Sequence, residues 1–327
     1  MPTAIQVKQY GGPEVLQRVE VDLMPLQPHQ VRFQVMTAIV NPIDVEIRSG
    51  RRPLISEGQF PYTPGVEALG EVIEVGSAVF DMKVGDRVLA MMQGMGGIQG
   101  THTGGYQEIV TAAASTLAVI PKELNPFTVA AIGLYAVTAF VSLQRIQLQA
   151  GQTIVVNTGY GGVGSVAAAI AKAMGAKVIV TSFHPERDSY LKQAKLESIV
   201  NLHQGSLFQV IEPRSVDAVL DAAGEWTFYE GVAALKQDGR LCLIGTATGN
   251  TLHLSGWDLL RGIHLTGYSV ENLKSSELRA AMEKICHWLA TRQIPTVFSC
   301  KYALSEADDV HRLLESGKLS GRILLLP

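Results

Sequence analysis

Over the first 120 or so positions, apolar residues come in short runs broken by Gly and Pro; beyond about 123, β-branched runs alternate with helical stretches. VRFQVMTAIV, LGEVIEVG, DRVLAMM and YQEIVTA predict strands, with PYTPG, GSAVFDMKVGD and GTHTGG as their connections. That spacing predicts a compact, barrel-like β domain. In the second region Ile154, Val155 and Val156 form an apolar run of the kind a buried parallel strand needs. The Ala-rich segment VGSVAAAIAKAMGA predicts a helix ending at Gly175, and 177–181 predicts another strand. VDAVLDAAG, a helix from 226 to about 236, GRLCLIG and a strand near HLTGYSV predict the second half of a doubly wound parallel α/β sheet. A helix near 276–291 follows, then a β-like tail from about 295, a helix near 306–316 and the strand GRILLLP. The tail is expected to rejoin the first domain, giving domains at 1–122 with 295–327 and at 123–294.

Within the first strand–helix–strand unit, Gly159, Gly161 and Gly164 have G-x-G-x-x-G spacing, with Gly162 and Val163 between them. Such glycines allow a tight turn and close backbone approach to a pyrophosphate, while the helix N-terminus offers unpaired N–H groups. This predicts dinucleotide binding. An NAD site usually carries Asp or Glu at the tip of the second strand, but this chain has Thr181 and Ser182 there. A hydroxyl can donate to a 2′-phosphate that a carboxylate would repel. Arg187, with His184 or Lys192, could add positive charge, although Arg187 also fits a solvated helix position. Glu186 and Asp188 suit the first turn of a helix begun by Pro185. NADPH is therefore expected over NADH.

Composition narrows the class. The 327 residues suffice for two cores, and 47% hydrophobic with 17% charged residues fits a compact enzyme. A net charge of −3 without a basic block argues against a nucleic-acid partner. Cys242, Cys286 and Cys300 show no metal-like spacing, which points to free thiols in a reducing compartment. MPTAIQVKQYGG contains no apolar signal core, and the charge-free stretch 124–144 reads as a buried helix rather than a membrane span. A cytoplasmic protein is expected.

The chain resembles the medium-chain dehydrogenase/reductase superfamily over nearly its whole length. More closely it resembles the zinc-free quinone oxidoreductase branch, related to zeta-crystallin. YGGPEVL, NPIDVEIRSG (41–50), PYTPGVEALGEVIEVG (61–76), VGDRV (84–88), GGYQEIV (104–110), VTAF (137–140), the glycine motif and HRLLESGKLSGRILLL (311–326) carry the likeness. It implies a discontinuous, mostly β GroES-like domain beside a Rossmann domain. Zinc-dependent relatives place Cys and His where Asn41 and Val66 stand, and the Cys-rich structural loop is missing between about 90 and 105. Glu67 and Asp44 alone do not make a zinc site, so no metal is expected. Without zinc to stabilise an alkoxide, the acceptor should already be electrophilic: a quinone or an α,β-unsaturated carbonyl.

By the same resemblance, Asn41 and Asp44 lie at the nicotinamide end of a cleft and Thr138 near the carboxamide. Asn41 could donate to a developing oxyanion or simply fix the turn before Pro42. Asp44 is expected to hold local backbone or Arg48 rather than to transfer protons. Gly245 and Thr246 should meet the nicotinamide ribose. Lys318 and Arg322 could reach cofactor phosphate or ribose, or belong to a solvated face. An enoyl-thioester reductase, the nearest enzymatic alternative, typically offers a Tyr proton donor where this chain has Arg51 and Arg52; Tyr62 is the closest substitute, though PYTPG suggests a structural turn. The Met- and Gly-rich loop 91–105, with His102, reads as an adaptable lid over a hydrophobic acceptor or as an ordinary surface loop. A homodimer through the edge strand HLTGYSV is implied. The rival from another class is a cofactor-binding protein of the same fold with little turnover.

Overall fold

The computed structural model describes residues 1–51, 60–97, 102–157, 162–183, 189–196, 198–246, 248–317 and 321–327. The chain begins with an antiparallel pair, β1 (Thr3–Gln6) and β2 (Gln17–Glu20). Next come β3 (Gln30–Val40), α1 (Pro42–Arg48), β4 (Glu67–Val75), β5 (Arg87–Met91), β6 (Ile109–Ala113) and β7 (Leu117–Ile120). Helix α2 (Pro126–Arg145) then leads into β8 (Thr153–Asn157), α3 (Val163–Ala173), β9 (Lys177–Ser182), α4 (Ser189–Gln193) and β10 (Ser198–Asn201). The second half is β11 (Val216–Asp221), α5 (Glu225–Ala234), β12 (Leu235–Leu243), α6 (Gly256–Leu260) and β13 (His264–Gly267). The tail is α7 (Ser275–Ala290), β14 (Ser299–Ala303), α8 (Ala307–Glu315) and β15 (Arg322–Leu326).

These elements fall into two compact units. One holds Met1–Gly133, Glu271–Cys286 and Val297–Pro327; the other holds Leu134–Val270 and His287–Thr296. In the first, a seven-stranded sheet runs β14-β15-β3-β4-β5-β7, with β6 also paired to β3. Side chains alternate across a strand, so Val31, Phe33 and Val35 of β3 point to one side. There they meet Val72, Val88, Val110 and Leu117 in a buried cluster. The tail strand β15 joins this sheet antiparallel to β3, with Ile323 opposite Val40. The start of β15 is thereby brought beside the end of β3.

The second unit is built on a six-stranded sheet in the order β10-β9-β8-β11-β12-β13, with every pairing parallel. Chain order reverses between β8 and β11, the switch point at whose carboxyl ends open α/β sheets bind ligands. Ile154, Val155 and Val156 are fully buried, as a strand covered on both faces requires. Helix α3 buries 164–171, and Gly175 follows its C-cap at φ 87°. Two details differ from the pattern-based expectation. The helix predicted to about 236 ends at Ala234, because Leu235 pairs with Val216 and is fully buried at the start of β12. Helix α1 was not predicted, although Asn41-Pro42-x-Asp44 is an N-terminal signature: a capping residue, Pro at the first helical position and an acid at the third.

Among the described residues, α2 alone is long and apolar enough to cross a membrane, and 78% of its most apolar window is buried within the protein, as in a core helix. The three cysteines are unpaired. Cys242 and Cys286 are buried and Cys300 is half-buried.

Candidate active site

In the first unit, the chain leaves β3 at Val40 and turns into α1 with Asn41 as its N-cap. Asp44 Oδ2 accepts the Asn41 backbone N–H at 2.8 Å, and Oδ1 accepts that of Val66 at 2.9 Å. One carboxyl therefore fixes both the start of α1 and the approach to β4. Burial pushes the Asp44 carboxyl up to about 7, against the pull of those two N–H groups. Glu67 raises it further and Arg322 lowers it.

The Asn41 side chain points inward. Its Nδ2 donates to Ile39 O and to Glu67 Oε2, both at 3.2 Å, and its Oδ1 accepts from Arg322 Nη1 at 2.9 Å. Arg322 Nη2 donates to Glu67 Oε2 at 2.8 Å, completing a triangle whose charged members are almost fully buried. Both amide hydrogens of Asn41 thus have protein acceptors, and the terminal nitrogens of Arg322 are turned toward Asn41 and Glu67.

Tyr62 is buried, with no partner for its hydroxyl among the described residues. Its backbone exchanges two hydrogen bonds with Val7, at 2.9 and 3.1 Å. Burial and the nearby Asp44 charge hold its phenol well above the usual range. His102 is exposed, with Nδ1 2.8 Å from Pro61 O. Among the described residues no group of three or more His, Cys, Asp or Glu side chains could hold a metal ion.

In the second unit, Gly162 caps α3 at φ 69°, ψ −122°, a conformation only Gly adopts without strain. Among the described residues no side chain caps this helix, whose first N–H groups belong to Val163 and Gly164. Ser182 lies buried at the tip of neighbouring β9. Asn157, at the end of β8, donates from Nδ2 to Asp221 Oδ2 at 3.1 Å and accepts from Thr181 Oγ1 at 2.6 Å. The carboxyl ends of β9, β8 and β11 are thus tied together. Asp221 Oδ1 accepts from Ala223 N, Gly224 N and Thr227 Oγ1 at 2.8–2.9 Å, shaping the turn after β11.

Gly245 and Thr246 follow β12 against that turn. A Cβ on Gly245 would stand 2.6 Å from Ala222 O, and one on Gly224 would stand 3.0 Å from Thr246 Cα. Thr138, in α2, is buried with its hydroxyl lacking a partner among the described residues. Gly159, Gly161, Arg187 and Lys318 lie outside the described residues.

Residues 27–122 match the alcohol dehydrogenase GroES-like domain and 162–287 the zinc-binding dehydrogenase family. The quinone oxidoreductase of Lama guanicoe is 29% identical over 339 residues, covering 99% of this chain and 97% of its own. That of Salmonella typhimurium is 28% identical over 340 residues and fully covered on both sides. Among solved structures, the Escherichia coli quinone oxidoreductase complexed with NADPH superposes with a TM-score of 0.82 at 27% identity, over 99% of this chain and 100% of the other. A mycobacterial quinone oxidoreductase gives 0.87 at 27% identity, with both chains fully covered. The chain belongs to the medium-chain dehydrogenase/reductase superfamily, in its quinone oxidoreductase branch.

Both superfamily domains are present: the GroES-like fold around β3–β7 and the Rossmann sheet of β8–β13. The family resemblance singles out Asn41 and Asp44, and the strand–helix pattern Gly162 and Ser182; neither points to Asn157 and Asp221, which tie the ends of β8, β9 and β11 together. The available signal was a lone polar residue closing an apolar strand, in TIVVN and in VDAVLD.

Proposed function

We propose that the chain is a zinc-independent, NADPH-dependent reductase acting on a quinone or an α,β-unsaturated carbonyl, with residues 1–122 and 295–327 forming the substrate domain and 123–294 the cofactor domain. The observation that carries this is the corner at Asn41. Where zinc-dependent relatives need a thiolate and an imidazole, an amide and Val66 stand here, and Glu67 is paired with Arg322. A Lewis acid has no soft ligand in that set, so the acceptor must be electrophilic by itself. The nicotinamide group, when bound, supplies the hydride.

The protein's part is to hold and orient. The N-terminus of α3 at Gly162, Val163 and Gly164, with Gly159 and Gly161 before it, suits a pyrophosphate. The buried hydroxyl of Thr138, without a partner among the described residues, suits the carboxamide. Gly245 and Thr246 take the nicotinamide ribose. The tip of β9 ends in Ser182 with no carboxylate, which suits a 2′-phosphate, and Arg187 and Lys318 add charge. Arg322 acts from behind, holding Glu67 and Asn41. Asp44 fixes the Asn41 turn, and Tyr62 offers a buried hydroxyl that has no partner among the described residues.

A homodimer is proposed through β13. It is the outer strand of its sheet, and Trp257 and Leu260, in the segment just before it, are 78% and 77% exposed.

The test is loss of reduced-nicotinamide absorbance with an ortho-quinone, a para-quinone and a 2-alkenal as separate acceptors, with NADH and a chelator-treated sample alongside. The expected result is NADPH-selective turnover that survives the chelator. Chelator-sensitive turnover would overturn zinc independence. Tight NADPH binding without turnover on any acceptor would make this a cofactor-binding protein.

A further inference from the structure

Three buried polar side chains stand behind Asp44 that the reaction above leaves without a role, Arg48, His311 and Tyr106 in sequence toward it, with the exposed Glu315 at the far end. Arg48 closes α1, and its side chain is 1% exposed. Its Nη2 donates to Glu315 Oε1 at 2.6 Å, and its Nη1 lies 3.5 Å from His311 Nδ1. Arginine has donors and no acceptor, so Nδ1 of His311 must be the accepting nitrogen and the ring proton sits on Nε2. Nε2 is 3.0 Å from Tyr106 Oη, which therefore accepts and has its own hydrogen left for Asp44 Oδ2, 3.5 Å away. The two 3.5 Å links are weak individually. Their direction is fixed by the arginine all the same: every donor in the row points toward Asp44. Burial and the Arg48 charge hold His311 neutral, down to about 3, as the row requires.

We propose that His311 and Tyr106 are positioning residues, which with Arg48 form a one-way hydrogen-bond row that supports the Asp44 carboxylate and so fixes the Asn41 and Val66–Glu67 backbone of the reacting corner. The inference rests on the reading that this corner faces the acceptor. A carboxylate accepts from backbone N–H groups more strongly than a carboxylic acid does. Supplying Oδ2 with one more donor keeps it in that form, and the ties to Asn41 N and Val66 N hold with it. The row is built from α1, the segment before β6 and α8, the last more than 200 residues from the other two.

The experiment uses the full chain and the variants His311→Leu, His311→Gln and Tyr106→Phe. In His311→Gln the amide oxygen can accept from Arg48 and the amide nitrogen can donate to Tyr106; Leu can do neither. With NADPH and the best acceptor, His311→Leu and Tyr106→Phe should lower kcat about tenfold, the loss of one buried hydrogen bond. KM for NADPH should stay within about twofold, since the cofactor contacts lie elsewhere. The pH at which activity rises to its plateau should move upward in both. His311→Gln should restore the rate and the profile.

Nitrogen NMR of histidine-labelled protein should show His311 as the neutral Nε2–H tautomer, and Tyr106→Phe should shift the Asn41 and Val66 amides. An Nδ1–H tautomer would overturn the proposal, as would a folded His311→Gln as slow as His311→Leu. If the wild type turned over no acceptor, the reductase reading would fail, and the tautomer and amide shifts would still decide the row.

Discussion

Arg322 and Glu67 show why single residues in this chain cannot be understood from their neighbours in sequence. GRILLL places the arginine at the head of an apolar strand, where a solvent-facing cation or a phosphate contact is the natural expectation. The partner that turns it inward is 255 positions away. A buried ion pair gains little over an apolar pair, but breaking one side leaves an uncompensated charge. Arg322→Met should therefore lower stability by about 3–5 kcal/mol, and adding Glu67→Gln should recover most of that loss. Denaturant unfolding of the single and double variants measures it; a double variant as unstable as Arg322→Met would rule out the unpaired charge as the cause. Asn41 and Asp44 were named through the family resemblance, while their Asn-Pro-x-Asp spacing, a local helix-start signal, went unread. Their long-range partners left no trace in the local pattern, because a hydrogen bond between remote residues imposes no periodicity.

Local signals explain part of what was legible among the elements: α1 was missed despite its local signature, while the return of the tail strand to the first sheet was expected and is seen. Strand β8 and α3 follow from an apolar run and an Ala-rich segment within thirty or so residues. The α5–β12 boundary shifted because Leu235 has a buried slot beside Val216, which no propensity encodes. The N-cap of α3 gives a sharp prediction. Gly162→Ala has room for its methyl, the nearest atoms being in the Tyr135 ring at 3.6 Å, but not the backbone conformation. It should cost about 1–3 kcal/mol of stability and weaken NADPH binding together, read by thermal unfolding and by titration calorimetry. Normal NADPH affinity in a folded Gly162→Ala would show that α3's N-terminus does not hold the pyrophosphate. The tip of β9 supplies a second test. Ser182→Asp should lower the NADPH-to-NADH preference at least about tenfold, because a carboxylate accepts from a ribose hydroxyl and repels a phosphate. An unchanged preference would move the 2′-phosphate site away from β9.

At the scale of the whole molecule, the buried titratable groups set how stability depends on pH. Asp44 has a folded value of about 7 against an ordinary 3.8, so the folded state binds its proton more tightly than the unfolded chain. Its contribution is complete below about pH 4 and is lost as pH rises to about 7, a change on the order of 4 kcal/mol. His311 has the opposite sign. With a folded value of about 3 against 6.5, its contribution is present above about pH 6.5 and is lost as pH falls toward 3, again by on the order of 4–5 kcal/mol. Asp44 is faced by Glu67, Arg322, Tyr106 and Tyr62, and His311 by Arg48, Tyr106 and Asp308. Both groups belong to the same unit, so between about pH 4 and 6.5 their slopes oppose and largely cancel. Removing one exposes the other. Asp44→Asn should become more stable as pH rises from 4 to 6.5, and His311→Gln less stable, relative to wild type over the same window. Asp221, raised by burial in the other unit, is common to all three proteins and drops out of the comparison. Thermal unfolding at closely spaced pH values measures the difference directly. Parallel curves for the three proteins would mean that neither group changes its proton affinity on folding, and the one-way row from Arg48 to Asp44 would lose its electrostatic basis.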